Sequence, residues 1–542
     1  MVFATLLRRC VLAVVLLLAG SPFASAQTVG DCMPGTAVRQ FETAGVRAPL
    51  YNTGSLFSYA MTFDGEYEVP RGSGNFALNG MGLWIGGKVG DSLRVVHTSQ
   101  YGVMLRPGPL NEAGLPPEDC TPYDRIYVVT KNDVERYLAG EGGGEDLLEW
   151  PVEAGAPVLD GDGVAGNYNL AGGDEPAILG DRMAWWVMND VYYDRIPPFQ
   201  TQPINLEVQV SAFAIASNPA TLRNTTLYRY RLRYMGAEPF DSVHVAHYVH
   251  SYLGDEFDNY VGSDTTLDMG FFYNAEEVDE EYGVPPAVGL LVLQGPVVDG
   301  ERLGMTSLHH QPRVSGGCNP GADAEDSYNL MRGIWCDGIP ITEGGNGYLS
   351  SEVVTPLAFP GDPVEEAYWS QENNDGSGTN SGSYFRRMVQ GIGPFSMQPG
   401  DTQEFTVAVV FAQGDDRLDS IVELREATRY IRNAYDLGLF EPQRVRPPPA
   451  EPPPPTTFAL GAFPNPFTAS ASVELTVAEG AGALRLAVYD VLGREVAVVA
   501  DGVLAPGVHP FAIDGAELPA GVYFVRLETG RQTESLTLIH TD

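Results

Sequence analysis

The sequence predicts a mainly β protein: a large β-sandwich-type ectodomain of one or two domains with one helix near its end, followed by a small C-terminal β-sandwich. Three observations carry this. Apolar and polar residues alternate over short runs, 62 glycines and 41 prolines punctuate those runs, and only one stretch shows helical spacing. Tyr228, Tyr230, Leu232 and Tyr234 share one face of a strand while Arg229, Arg231 and Arg233 share the other, the pattern of a half-buried antiparallel strand. Residues 207–215, 243–249, 288–293 and 404–412 read as further strands, with turn chemistry between them at Pro285-Pro286, Gly316-Gly317 and Pro399-Gly400. Ile421, Leu424, Thr428, Ile431 and Tyr435 fall at helical spacing, so a helix over 418–437 should lay one stripe on the sheet. In the tail, Val473, Leu475 and Val477 alternate with polar neighbours, as do Leu484, Leu486 and Val488. Turns at 490–493 and 519–521 frame a further strand over 522–527.

The chain divides by composition. Arg8 and Arg9, an apolar run from Val11 to Ala19 and then Ala24-Ser25-Ala26 read as a signal peptide over 1–26 on the general secretory route. The ectodomain follows over 27–441. A Pro-rich, semi-rigid linker spans 442–457 and the tail 458–542. No stretch beyond the signal peptide reaches the eighteen or so apolar residues of a membrane span, so no transmembrane segment is expected in the mature chain.

Removing the leader deletes two arginines and no acid, taking the formal net charge from −38 to −40, and Lys88 and Lys131 are the only lysines. So acidic a surface repels nucleic acid and anionic lipid. It suits salty water and divalent cations, calcium among them. Four cysteines follow the leader, an even count in an exported chain, which points to two disulfides with three possible connectivities. Cys318 with Cys336 closes a short Gly-rich loop and is the first expectation; Cys32 with Cys120 follows by default.

Several clusters invite a functional reading. Asp160 and Asp162 flank Gly161, with Asp174, Glu175 and Asp181 following; Asp255, Glu256, Asp258 and Asp264 form a second group. Calcium takes six to eight oxygens in irregular loops, so both groups are candidate calcium sites, although the first lacks the terminal glutamate of an EF-hand. Solvated turns are the plainer reading of each. His244, His247 and His250 cannot share a metal on a strand, because His247 faces away and the outer two lie roughly 20 Å apart. Trp185-Trp186, with Trp84, Trp335 and Trp369, could present one exposed ring of the adjacent pair as a sugar-stacking platform. No Gly-x-Ser-x-Gly, His-Glu-x-x-His, phosphate loop or dinucleotide fingerprint occurs, so no catalytic residue is assigned.

The tail carries three motifs in order: Phe463-Pro464-Asn465-Pro466-Phe467, then Tyr489-Asp490-Val491-Leu492-Gly493-Arg494, then Leu518-Pro519-Ala520-Gly521-Val522-Tyr523. Together they resemble a type IX secretion C-terminal sorting domain of type A, an immunoglobulin-like β-sandwich. Pro464, Asn465, Pro466, Gly493, Gly521 and Tyr523 are its motif positions here. An immunoglobulin-like domain of flagellar hook-capping proteins has a similar pattern, so the fold alone does not fix a sorting role. The resemblance implies transit through the periplasm to the cell surface or beyond. Its implied partners are the type IX secretion machinery and, once the tail is processed, a surface glycan or lipopolysaccharide. Gly82-Leu83-Trp84-Ile85-Gly86-Gly87, Trp185-Trp186-Val187-Met188-Asn189-Asp190, Tyr260-Val261-Gly262-Ser263-Asp264-Thr265-Thr266 and Gly393-Pro394-Phe395 resemble stretches of a group of type IX exported proteins from which no activity carries over. The expectation is an exported, non-catalytic protein of adhesion, binding or envelope structure. A secreted polysaccharide-acting hydrolase with paired carboxylates is the alternative.

Overall fold

The computed structural model describes residues 32, 34–58, 66–98, 105–192, 201–215, 220–311, 323–382, 386–446, 457–530 and 532–541. Its internal contacts divide at Arg446, between an ectodomain unit and a tail unit. The expected signal peptide and residues 447–456 of the expected linker lie outside the described residues.

Long alternating strands need two surfaces to bury against, and the ectodomain supplies them as two nine-stranded sheets packed face to face. The first runs Val38–Glu42, Arg47–Tyr51, Ser55–Leu56, Phe76–Val89, Phe240–Ser251, Arg387–Met397, Ser307–Gln311, with Tyr67–Glu68 and Ser92–His97 at its side. The second runs Asn259–Asp264, Met269–Asn274, Ala287–Gln294, Thr402–Ala412, Thr225–Tyr234, Leu206–Ala214, Arg182–Asn189, Arg106–Pro107, with Tyr127–Thr130 beside Arg182–Asn189. The ladders within both sheets are antiparallel. Between the sheets, Trp186, Tyr228, Tyr230, Phe405 and Val407 from the second meet Leu83, Ile85, Val243 and Val245 from the first.

The outer faces are covered too. Against the second sheet lies the helix Asp419–Asp436, within one residue at each end of the span its periodicity predicts. Ile421, Leu424, Thr428 and Ile431 are buried along one stripe. Asp416 holds the helix start by accepting from the backbone N–H of Leu418 and of Asp419 at 2.9 and 2.8 Å. Trp185, Trp150 and Leu147 fill the other end of that layer. On the first sheet, the helix Ala324–Met331 covers Trp84, Ala246, Tyr248 and Val389. Thr402–Ala412 shows the outcome: Phe405, Val407, Val409 and Phe411 face the central core while Ala408, Val410 and Ala412 face the helix layer. Burial on both sides turns an alternating strand into a continuous apolar one.

Cys32 and Cys120 are disulfide-bonded across 88 residues of sequence. Cys336 is also disulfide-bonded; Cys318, its expected partner, lies outside the described residues.

The tail unit is a small sandwich of its own. Three strands (Ala459–Phe463, Ser470–Val477, Gly507–Asp514) face four (Glu495–Gly502, Leu484–Asp490, Gly521–Thr529, Thr533–His540) over a core of Val473, Leu475, Leu486, Val488, Val525 and Leu527. No helix among the described residues is long and apolar enough to cross a membrane.

Ile431 is fully buried in the layer between helix and second sheet. Ile431→Ala should therefore lower ectodomain stability by about 2–4 kcal/mol, read as a fall in the denaturant midpoint.

Candidate functional site

The Asp160–Asp174 loop is built by its carboxylates before any ion is considered. Asp174, buried, accepts from the backbone N–H of Gly161 (2.8 Å), Asp162 (3.4 Å) and Asn169 (2.7 Å). A Cβ on Gly161 would lie 2.0 Å from the Gly173 carbonyl oxygen, so the two limbs can close only with glycine there. Asp160 accepts from Gly163 N–H at 2.6 Å. Asp162 accepts from Val164 N–H and from the side-chain amides of Asn167 and Asn169 at 2.9–3.0 Å, and these bonds, Asn169 first, hold its carboxyl below the usual range. One oxygen of each aspartate lies within 4.8 Å of the others. Three carboxylates this close repel one another, and the trio could hold a metal ion. Glu175 and Asp181, expected beside them, turn elsewhere: Glu175 to Arg444 and the Val445 N–H, Asp181 to Lys131.

The second acidic group does not converge. Asp258 precedes the strand Asn259–Asp264 and Asp264 ends it, so at ~3.4 Å per residue their backbones stand about 20 Å apart. Asp264 pairs with Arg425 at 3.1 Å, and Asp255 caps the Phe257 N–H. Asp258 instead joins a network absent from the sequence reading: the Asn274 side-chain amide donates to Asp258 Oδ2 at 2.9 Å and to Asp279 Oδ2 at 3.1 Å. Asn274 is fully buried and both aspartates nearly so. Desolvation, with Asp279 adding repulsion, pushes the Asp258 carboxyl up to about 7 against the pull of Asn274.

Trp185 and Trp186 do point to opposite faces, but both faces are covered, so neither ring is exposed. All six tryptophans are buried, and the expected stacking platform is withdrawn. His247 points into the central core against Tyr230 and Phe405, while His244 meets Tyr328 on the opposite side. Burial pulls His247 and His250 down to about 3 and His244 to about 4, so all three are neutral at pH 7.

In the tail, the motif residues close the sandwich. The Asn465 side chain donates to Thr537 O at 2.7 Å and accepts from Ile539 N–H at 2.9 Å, so one amide pairs with the last strand as a strand would. Phe467 is buried and stacked on His540, and its backbone exchanges bonds with Ile539 and Thr541. Asp490 caps the turn that Gly493 completes at φ +78°, and Tyr523 hydroxyl donates to Pro519 O at 2.6 Å. Residues 461–540 match the secretion system C-terminal sorting domain. The chain is therefore an exported protein with a type IX sorting domain, carried through the periplasm to the outside by the type IX machinery.

No curated protein matches the chain. Among solved structures it is similar to a polysaccharide lyase (9% identity, TM-score 0.23, covering 94% of this chain and 47% of that one). A biofilm-associated protein's BSP domain follows (10%, 0.13, covering 66% and 60%). PorZ, a surface component of the type IX secretion system of Porphyromonas gingivalis, is similar at 10% and 0.12, covering 68% and 42%. The chain spans about half the length of the first, and TM-scores of this size establish no common fold.

A carboxyl whose folded pKa exceeds its unfolded value favours folding below the unfolded pKa, and that contribution is lost as pH rises through the folded one. Asp258, near 3.8 unfolded and about 7 folded, therefore opposes folding at pH 8. Asp258→Asn keeps an oxygen for Asn274 and should raise the melting temperature at pH 8 by about 2–4 °C. The gain should fade as pH falls from 7 toward 4 in a thermal-shift series.

Proposed function

We propose that the exported ectodomain is a non-catalytic, calcium-stiffened β-sandwich that serves adhesion, binding or envelope structure outside the cell. The observation that carries this reading is the Asp160, Asp162 and Asp174 trio, whose oxygens lie within 4.8 Å of one another. Calcium is the cation of choice because the site is all oxygen, the loop is irregular, and carbonyls and water can complete six to eight ligands where octahedral magnesium would demand stricter geometry. Extracellular calcium sites of modest charge work at millimolar calcium, and a loop bound only in the folded state gains stability by mass action. The non-catalytic part draws support from how the acidic and aromatic side chains are used. Asp264, Glu372 and Glu175 are committed to Arg425, Arg417 and Arg444, and the tryptophans to the cores.

Millimolar calcium should raise the melting temperature of the mature protein, chelator should reverse the rise, and Asp160→Asn, which keeps an oxygen for Gly163 N–H, should abolish most of it. At a hundredfold excess over Kd the gain amounts to about 2.7 kcal/mol. A calcium response equal in wild type and variant would move the ion elsewhere, and no response at all would remove it. Separately, deleting 461–540 should leave the protein in the periplasm when the host is fractionated; undiminished surface or medium protein would overturn the sorting role.

A further inference from the structure

The outer face of the second sheet carries a cleft of about 620 Å³ that none of the readings above uses. Its floor is two cross-strand pairs, Glu207 opposite Arg233 and Gln209 opposite Arg231, on Leu206–Ala214 and Thr225–Tyr234. Its walls are the Pro-rich loop 109–117 and the turn 152–155, with Tyr123 between.

Two of the floor residues hold the walls. Glu207, 1% exposed, accepts from Leu110 N–H at 2.7 Å and from the Gln209 amide at 2.8 Å. Arg233 donates to Leu110 O at 3.2 Å and to Glu112 at 3.0 Å. The turn rests on Gln209, since a Cβ on Gly155, at φ +96°, would come 2.4 Å from the Gln209 amide nitrogen. Prolines stiffen the loop and the Cys32–Cys120 disulfide ties down its far end, so the cleft is formed before any ligand arrives. Arg231 is left half-exposed in the floor, 3.5 Å from Glu404.

Resting on the binding role proposed above, we propose that this cleft binds a short neutral oligosaccharide. Its volume lies within the roughly 300–1,000 Å³ of small-ligand sites. Anionic ligands are disfavoured, because Glu112, Glu153 and Glu207 outnumber Arg231 and Arg233 in a chain of net charge −38. A hydroxyl both donates and accepts, which suits a lining that offers guanidinium donors beside carboxylate and amide acceptors. Pro109, Leu115, Pro117 and Tyr123, each partly exposed in the lining, supply apolar surface for the CH faces of a sugar ring.

The test is isothermal titration of the mature protein with cello-, xylo-, malto- and chito-oligosaccharides, with oligogalacturonate as the charged comparison. At least one neutral series should bind, at least tenfold more weakly to both Arg231→Gln and Tyr123→Ala, with the melting temperature of the half-exposed Arg231→Gln variant unchanged. No neutral binding, binding untouched by both variants, or tighter binding of oligogalacturonate would each overturn the proposal. Shortened sugars in the recovered sample would uphold the cleft and overturn the non-catalytic reading, so the two fail separately.

Discussion

Burial of the second sheet on both faces is the constraint on which the ectodomain depends. Its inner face meets the first sheet, and its outer face meets the Asp419–Asp436 helix and the segment around Trp150. Apolar residues therefore line both sides of Thr402–Ala412 and of Arg182–Asn189. Each fully buried large apolar side chain contributes about 1.5–3 kcal/mol. His247, carried into the central core between Tyr230 and Phe405, is neutral there. Chemistry is thereby confined to loops, strand ends and the strip where the helix layer gives out. Arg229, Arg231 and Arg233 mark that strip.

How much was legible follows from the range of each signal. Local periodicity is written in consecutive residues, so the helix and the strands over 207–215, 243–249, 288–293 and 404–412 stand within a few residues of where the pattern puts them. The Tyr/Arg alternation over 228–234 was right about faces. What it could not tell is that Glu207 and Gln209, more than twenty residues earlier, would stand opposite Arg233 and Arg231 and make a floor. Trp185 and Trp186 failed for the same reason: alternation sends one ring to each face, and only the long-range packing of helix and sheet decides whether a face is wet. The Asp258 network was illegible because Asn274 and Asp279 reach it from the neighbouring strand and the loop after it, whereas Asp264, close in sequence, is carried away by a strand.

The sorting motifs are a case where sequence and structure say the same thing in different terms. Asn465 pairs with the last strand, Phe467 stacks on His540 at that strand's end, and Tyr523 locks the turn that launches its own strand. Asn465 and Phe467 lie more than seventy residues from their partners in the last strand, yet their bonds join the segment after the tail's first strand to it. A chain lacking its final strand would leave Asn465 and Phe467 without partners.

The acidic loop connects to the rest of the ectodomain in a way that gives an ion there more than local leverage. Arg444 donates to the Gly173 carbonyl at 2.8 Å and to the Asp160 carbonyl, and lies 3.4 Å from Glu175. Glu175 in turn accepts from Val445 N–H at 3.0 Å. Arg444 and Val445, in the first residues of the Pro-rich segment, are thus held by the same loop whose side chains gather three carboxylates. Without a cation, mutual repulsion of Asp160, Asp162 and Asp174 works against the loop geometry that positions those carbonyls. With one, the repulsion is reversed and the carbonyls are fixed. Order in the loop and order at the exit of the ectodomain are therefore coupled, because both rest on the same few backbone oxygens.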